Sequence, residues 1–256
     1  MTGAHDLAAY DLAGDNLAPT AVTQTGARIL QLLTAVFTQS SHTAPLTIPQ
    51  QLQQSLTPKD ESATGLFNAA LILCADHELN ISSFTARCVA SAGSTPYAVV
   101  MAGLSALQGP KHGGYTERVE ALFQEAATPA QAAGTIASRL RRGEAIPGFG
   151  HPLYPEGDPR GQALLTMIEA AYGDNEGLGL ARALETAVCH SIGLKPTIDF
   201  ALVTLSQALN LPPGSALTLF ALGRIVGWIG HANEQYQLDQ LIRPRAQYKG
   251  PQPLEI

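Results

Sequence analysis

Three of the seven histidines in this 256-residue chain fall in short segments that look able to do chemistry. His77 sits in Asp76-His77-Glu78, His112 in Gly109-Pro110-Lys111-His112-Gly113-Gly114, and His151 closes Gly148-Phe149-Gly150-His151. A fourth segment, Asp158-Pro159-Arg160, follows shortly after. Binding and catalytic groups concentrate on loops held by a rigid scaffold, and a glycine beside a polar residue permits a sharp bend or a close approach. Asp199 is different. It is a lone carboxylate in Thr197-Ile198-Asp199-Phe200-Ala201-Leu202-Val203. Buried without a charge partner, such a group has a raised pKa. Periodicity alone favours the plainer reading, an acidic residue near a helix N-terminus. Taken with neutral imidazoles and scattered arginines, a second role emerges. A carboxylate base takes a proton next to a carbonyl while an imidazole stabilises the enolate oxygen.

Other chemistries find little support. Cys74 and His77 are three apart, as are His231 and Glu234, but neither pair has a second ligand pair and there is no HExxH, so no metal is expected. No GxSxG marks a serine hydrolase. In Gly109-Pro110-Lys111-His112 the lysine is followed by histidine rather than Ser or Thr, and no strand precedes it, which argues against a P-loop. Gly148-Phe149-Gly150 lacks the third glycine and the βαβ setting of a dinucleotide fold.

The elements that must position these groups read as helices. Apolar residues recur at helical spacing over 23–37, 62–74, 82–92, 97–107, 115–127, 129–142, 161–172, 179–192, 197–209 and 214–238. Ser62-Ala63-Thr64 offers caps for the second of these. Pro45, Pro49 and Pro58 punctuate a Gln/Thr/Ser-rich stretch of loops and one short helix. Nothing alternates strand with helix, so the class is all-α. The chain is 45% hydrophobic but only 14% charged, which predicts a surface partly covered in an oligomer. Net charge is −6, and the densest basic spot, Arg139-Leu140-Arg141-Arg142, suits a helix C-terminus rather than nucleic acid. Cys74, Cys88 and Cys189 form no pairing motif, which suggests reduced thiols in a cytoplasmic protein. No secretory leader and no membrane span are expected.

Six motifs then stand in order. They are Ala75-Asp76-His77-Glu78-Leu79-Asn80, Gly109 to Gly114, Gly148 to His151 with Asp158-Pro159-Arg160, Thr197 to Phe200, Phe220 to Trp228, and Ile242-Arg243-Pro244-Arg245 with Tyr248. Together they resemble the citrate synthase family, across about Gly65 to Gly250. The resemblance implies an all-α homodimer or higher oligomer. It implies a large domain from 1–111 and 223–256, a small domain from 112–222, and an active-site cleft between them. His112 would hydrogen-bond the thioester oxygen, Asp199 would remove the acetyl proton, and His151 would polarise the ketone. His77, Arg160 and Arg224 would hold the carboxylates of the oxo acid, with Arg243 reaching in from the other subunit. Bidentate arginine–carboxylate pairs suit such a dianion. The implied reaction joins acetyl-CoA to oxaloacetate with water, giving citrate and CoA. CoA is substrate and product, with no permanently bound cofactor and no metal. Related activities are 2-methylcitrate synthesis and citryl-CoA cleavage; a non-catalytic sensor of acyl-CoA or citrate is the alternative of another class.

Three departures stand out. Only residues 1–64 precede the first match, fewer than in typical members. Pro155 and Glu156 occupy the place of a basic residue that contacts a CoA phosphate in the family. Ala201-Leu202-Val203 replaces the family's Tyr-Ser-Gly, which predicts a more apolar pocket beside Asp199.

Overall fold

The computed structural model describes residues 11–40, 46–173 and 175–251. Among these there are eleven α-helices and no β-strand. The first five are α1 (Pro19–Thr38), α2 (Ile48–Leu56), α3 (Ala63–Cys74), α4 (Ile81–Ser91) and α5 (Pro96–Leu107). The next five are α6 (Tyr115–Ala126), α7 (Pro129–Arg141), α8 (Pro159–Tyr172), α9 (Glu176–Ile192) and α10 (Ile198–Ala208), and α11 (Ser215–Leu238) follows. All ten helices expected from periodicity are present, and α2 is the short helix expected among the prolines. Proline opens α1, α5, α7 and α8, where its missing N–H costs nothing. The side chains of Asn80, Thr95, Asp158 and Asn175 cap α4, α5, α8 and α9 by accepting free N–H groups. Ser62 was expected to cap α3 but makes no such bond; Asp60 takes its N–H and its hydroxyl instead. Arg139 and Arg141 do end a helix, α7, and Arg139 and Arg142 pair with Glu125 and Glu144.

Two sets of helices pack together. Helix α11 lies against α1, α3, α4 and α5, while α10 lies against α6, α8 and α9. Trp228, fully buried on α11, fills the space beside Gly103 of α5, where an added Cβ would meet the indole at 2.6 Å. Helix α11 runs unbroken from Ser215 to Leu238. Cys74, Cys88 and Cys189 are free thiols, and no described helix is long and apolar enough to cross a membrane.

Candidate active site

Two glycines place Arg224. A Cβ at Gly223 would lie 2.6 Å from the Leu71 carbonyl, and one at Gly227 would collide with the carbonyl of Ala75. Their absence lets α11 press against the end of α3, directly under the segment that carries His77. There the Arg224 Nε donates to the Cys74 carbonyl oxygen at 2.7 Å. Its guanidinium lies over the Phe220 ring, 4.9 Å from the centroid. The residue is fully buried, yet Nη1 and Nη2 have no hydrogen-bond partner. Burial and the nearby Arg160 push its pKa down, but a guanidinium keeps its charge. Unpaired buried donors on a charged group are costly, by several kcal/mol or roughly so, and such a site calls for an anion.

His112 stands in the loop between α5 and α6. Burial, and then the charge of Arg224, push its pKa down to about 4, so the ring is neutral at ordinary pH. Its Nε2 lies 2.7 Å from the hydroxyl of Ser82, which is fully buried and donates in turn to Asn80 Oδ1 at 3.0 Å. His77 is also held neutral, chiefly by burial and then by Arg160 and His151; its Nε2 meets the Tyr154 hydroxyl at 2.7 Å.

The remaining groups form one tied unit. Gly148 and Gly150 turn the chain at φ +86° and +75°, a region other residues avoid, and so aim His151 at the cleft. Thr197 N donates to Gly148 O at 2.9 Å and Gly150 N to Lys195 O at 2.8 Å, which fastens this loop to the start of α10. The Leu153 N–H donates to His151 Nδ1 at 3.1 Å. That leaves Nε2 as the nitrogen carrying the proton. Asp158, almost wholly buried, grips Arg160 through two hydrogen bonds of 3.0 and 2.8 Å and accepts the Ile198 N–H at 3.0 Å. Burial pushes the Asp158 carboxyl up, but Arg160 and the backbone donors outweigh it and hold the carboxyl below its usual value. Asp199 follows as the second residue of α10. It is half-buried, and desolvation raises its pKa against the opposing hydrogen bond from Thr116 and the charge of Arg160. Both sequence readings of Asp199 therefore meet: it lies near a helix N-terminus, and it carries a raised pKa.

A cleft of about 270 Å3 is bordered by His77, His112, His151, Arg160, Asp199 and Arg224. Six residues drawn from four separated segments, α10 and α11 thus converge. Arg243 does not join them: it is exposed in the non-helical segment after α11. Pro155 is exposed in the turn that follows Tyr154.

The family model described as "Citrate synthase, C-terminal domain" matches residues 7–245. The chain belongs to the citrate synthase family. Citrate synthase 2 of Bacillus subtilis is 38% identical over 188 residues, 72% of this chain and 50% of that protein. The 2-methylcitrate synthase of Shewanella oneidensis is 33% identical over 196 residues, 75% of this chain and 52% of that one. The chain therefore spans about half the length of the curated relatives it matches. The citrate synthase of Thermoplasma acidophilum, solved with carboxymethyl coenzyme A and oxaloacetate, superposes with a TM-score of 0.82 over 99% of this chain and 72% of its own. At 24% identity that likeness speaks to the fold, which is the citrate synthase fold.

Several residues of this citrate synthase-family cleft escaped the sequence reading. Lys111 and Asn80 line it, and neither was singled out within its motif. Tyr154 stacks between His151 and Arg160, with ring centroids 5.2 Å from the first and the Arg160 Cζ 5.8 Å away. An aromatic residue midway between His151 and Arg160 was a usable signal. Ser82 and Thr116 had none, because each acts through a contact distant in sequence.

Proposed function

We propose that the chain joins the acetyl group of acetyl-CoA to oxaloacetate, with water, to give citrate and CoA. The observation that carries this reading is the buried Arg224 guanidinium. Two unpartnered donors face the same cleft as a carboxylate with raised pKa and two imidazoles. Arg224 and Arg160 suit the two carboxylates of the oxo acid, with His77 beside them. Asp199 takes a proton from the methyl carbon of the thioester. If Ser82 turns its proton to His112 Nε2, the imidazole proton sits on Nδ1 and can bind the enolate oxygen. The enolate carbon then attacks the ketone carbon while His151 Nε2–H binds the ketone oxygen. Water cleaves the resulting thioester and releases the CoA thiol. The 33% identity to a 2-methylcitrate synthase favours propionyl-CoA as the second candidate substrate. Hydrophobic pockets distinguish one methylene by only about 1–3 kcal/mol.

Thiol release should therefore be measured from acetyl-CoA and propionyl-CoA, each with and without oxaloacetate, and oxaloacetate formation from citryl-CoA alone, since cleavage of that compound returns acetyl-CoA and frees no thiol. Release that requires both substrates is expected. Binding of acyl-CoA with neither thiol release nor oxaloacetate formation in any arm would leave a sensor rather than an enzyme.

The proposal extends to a homodimer in which Arg243 completes the neighbour's cleft. Two helices that pack together, α3 and α11, leave Ile72 and Val226 exposed at 64% and 54%, apolar surface a second copy can cover. The set α1–α5 with α11 would form the large domain, and α6–α10 the small one. Mixing an Arg243→Ala chain with an Asp199→Ala chain, each inactive alone, is expected to restore part of the activity, since one hybrid cleft holds both residues. Heterodimers confirmed by mass that stay inactive would mean each cleft is complete within its own chain.

A further inference from the structure

We propose that Thr116 is a positioning residue for Asp199, holding one carboxylate oxygen so that the other faces the thioester. The inference rests on the condensing role of Asp199 proposed above. Thr116 is the second residue of α6 and is fully buried. Its hydroxyl donates to Asp199 Oδ1 at 3.0 Å, and a carboxylate can only accept. Helices α6 and α10 pack against each other, so this bond joins the two helices at the ends that face the cleft. Thr116 N also bonds the Gly113 carbonyl at 3.0 Å, in the loop that presents His112. One residue thereby sets the base relative to the imidazole that receives the enolate oxygen. The spacing between those two groups is what a carbon acid needs: the proton leaves on one side as charge gathers on the oxygen.

The other charged and titratable groups that act on Asp199 are Arg160 and Asp158 from the segment leading into α8, Tyr115 from α6, Cys74 from α3 and Arg224 from α11. Arg160 favours the carboxylate and Asp158 opposes it. Among the described residues none of these groups hydrogen-bonds Asp199; Thr116 supplies the side-chain bond. Removing it takes away support for the charged form, so the sign is fixed: the Asp199 pKa rises, and less base is present at any given pH below it.

The test compares Thr116→Val, which keeps the shape and loses the hydroxyl, with Thr116→Ser, which keeps the hydroxyl. Turnover is expected to fall about ten-fold or more in Thr116→Val, the scale of a lost hydrogen bond to a charged group. The oxaloacetate KM should stay near its original value, and the acid limb of the pH profile should move up by about one unit. Thr116→Ser should recover most of the loss. In parallel, 13C NMR of aspartate-labelled protein, with Asp199→Asn supplying the assignment, follows the carboxyl directly. An Asp199 midpoint unchanged in Thr116→Val overturns the proposal, as does a serine variant as impaired as the valine one. Thermal unfolding checks that each variant is folded, and Thr116→Ala repeats the comparison should valine disturb the helix contact. If the unmodified protein released no thiol, the condensing reading would fall, while the NMR midpoint would still decide whether Thr116 holds the carboxylate.

Discussion

Replacing Asp199 by asparagine or alanine is expected to cut thiol release by about 10²–10⁴-fold, the usual loss when a positioned base is removed. Asparagine fills the same space and can still take the Thr116 hydrogen bond through its carbonyl, so the protein should fold and unfold normally. Oxaloacetate affinity should be nearly intact, because the base acts on the acetyl group. Substrate binding and turnover therefore separate in this variant, whereas a general distortion of the cleft would lower both. The raised pKa of the native residue adds a pH signature: turnover should fall as the solution is acidified through it. Near-normal turnover by Asp199→Asn would remove Asp199 from the reaction.

The second large effect concerns Arg224, and it runs in opposite directions for binding and for stability. Arg224→Met should weaken oxaloacetate binding by about 2–5 kcal/mol, the scale for losing one partner of a buried charge pair. That is a loss of at least about thirty-fold in affinity. The ligand-free variant should nevertheless unfold at the same temperature as the native chain or above it. A methionine packs on Phe220 without leaving charged donors unpaired, and replacing a buried ionic group by an apolar one of similar volume is often stabilising. Oxaloacetate should raise the unfolding temperature of the native protein and not that of the variant. Calorimetry and thermal scans on the same samples decide the matter. A variant that unfolds well below the native chain would mean the Nε bond to Cys74 matters more than the unpaired donors cost.

Much of this architecture was legible beforehand because helices advertise themselves locally. The apolar spacing of 197–209 and 214–238 fell within a residue of α10 and α11, and Pro129 marked the start of α7. The motif segments hold six residues that the fold brings to one cleft, since glycine and proline mark where the backbone must bend. What stayed hidden depends on contacts between distant positions. The N-terminal stretch looked uninformative, yet Asp11 accepts from the Tyr97 hydroxyl at 2.6 Å and pairs with Arg28 at 2.8 Å. Tyr172 reaches back across more than a hundred residues to the Asp60 carboxylate. Ser82 and Thr116 look like ordinary helix residues until folding sets them beside His112 and Asp199. No periodicity encodes such pairings, because only the packed helices bring the partners together.

The bonds around Asp158 divide the cleft into two mechanical parts. His151, Arg160 and Asp199 are fastened to one another through Asp158, Thr197 and the Gly148 loop, so they form one connected unit. Arg224 is anchored to the end of α3, just before His77, on the opposite wall. A molecule with a single carboxylate can satisfy one wall and leave the other untouched. Under the function proposed above, a short diacid would reach both at once. On that reading, two glycines set the place of one guanidinium and one buried carboxylate sets the place of the other.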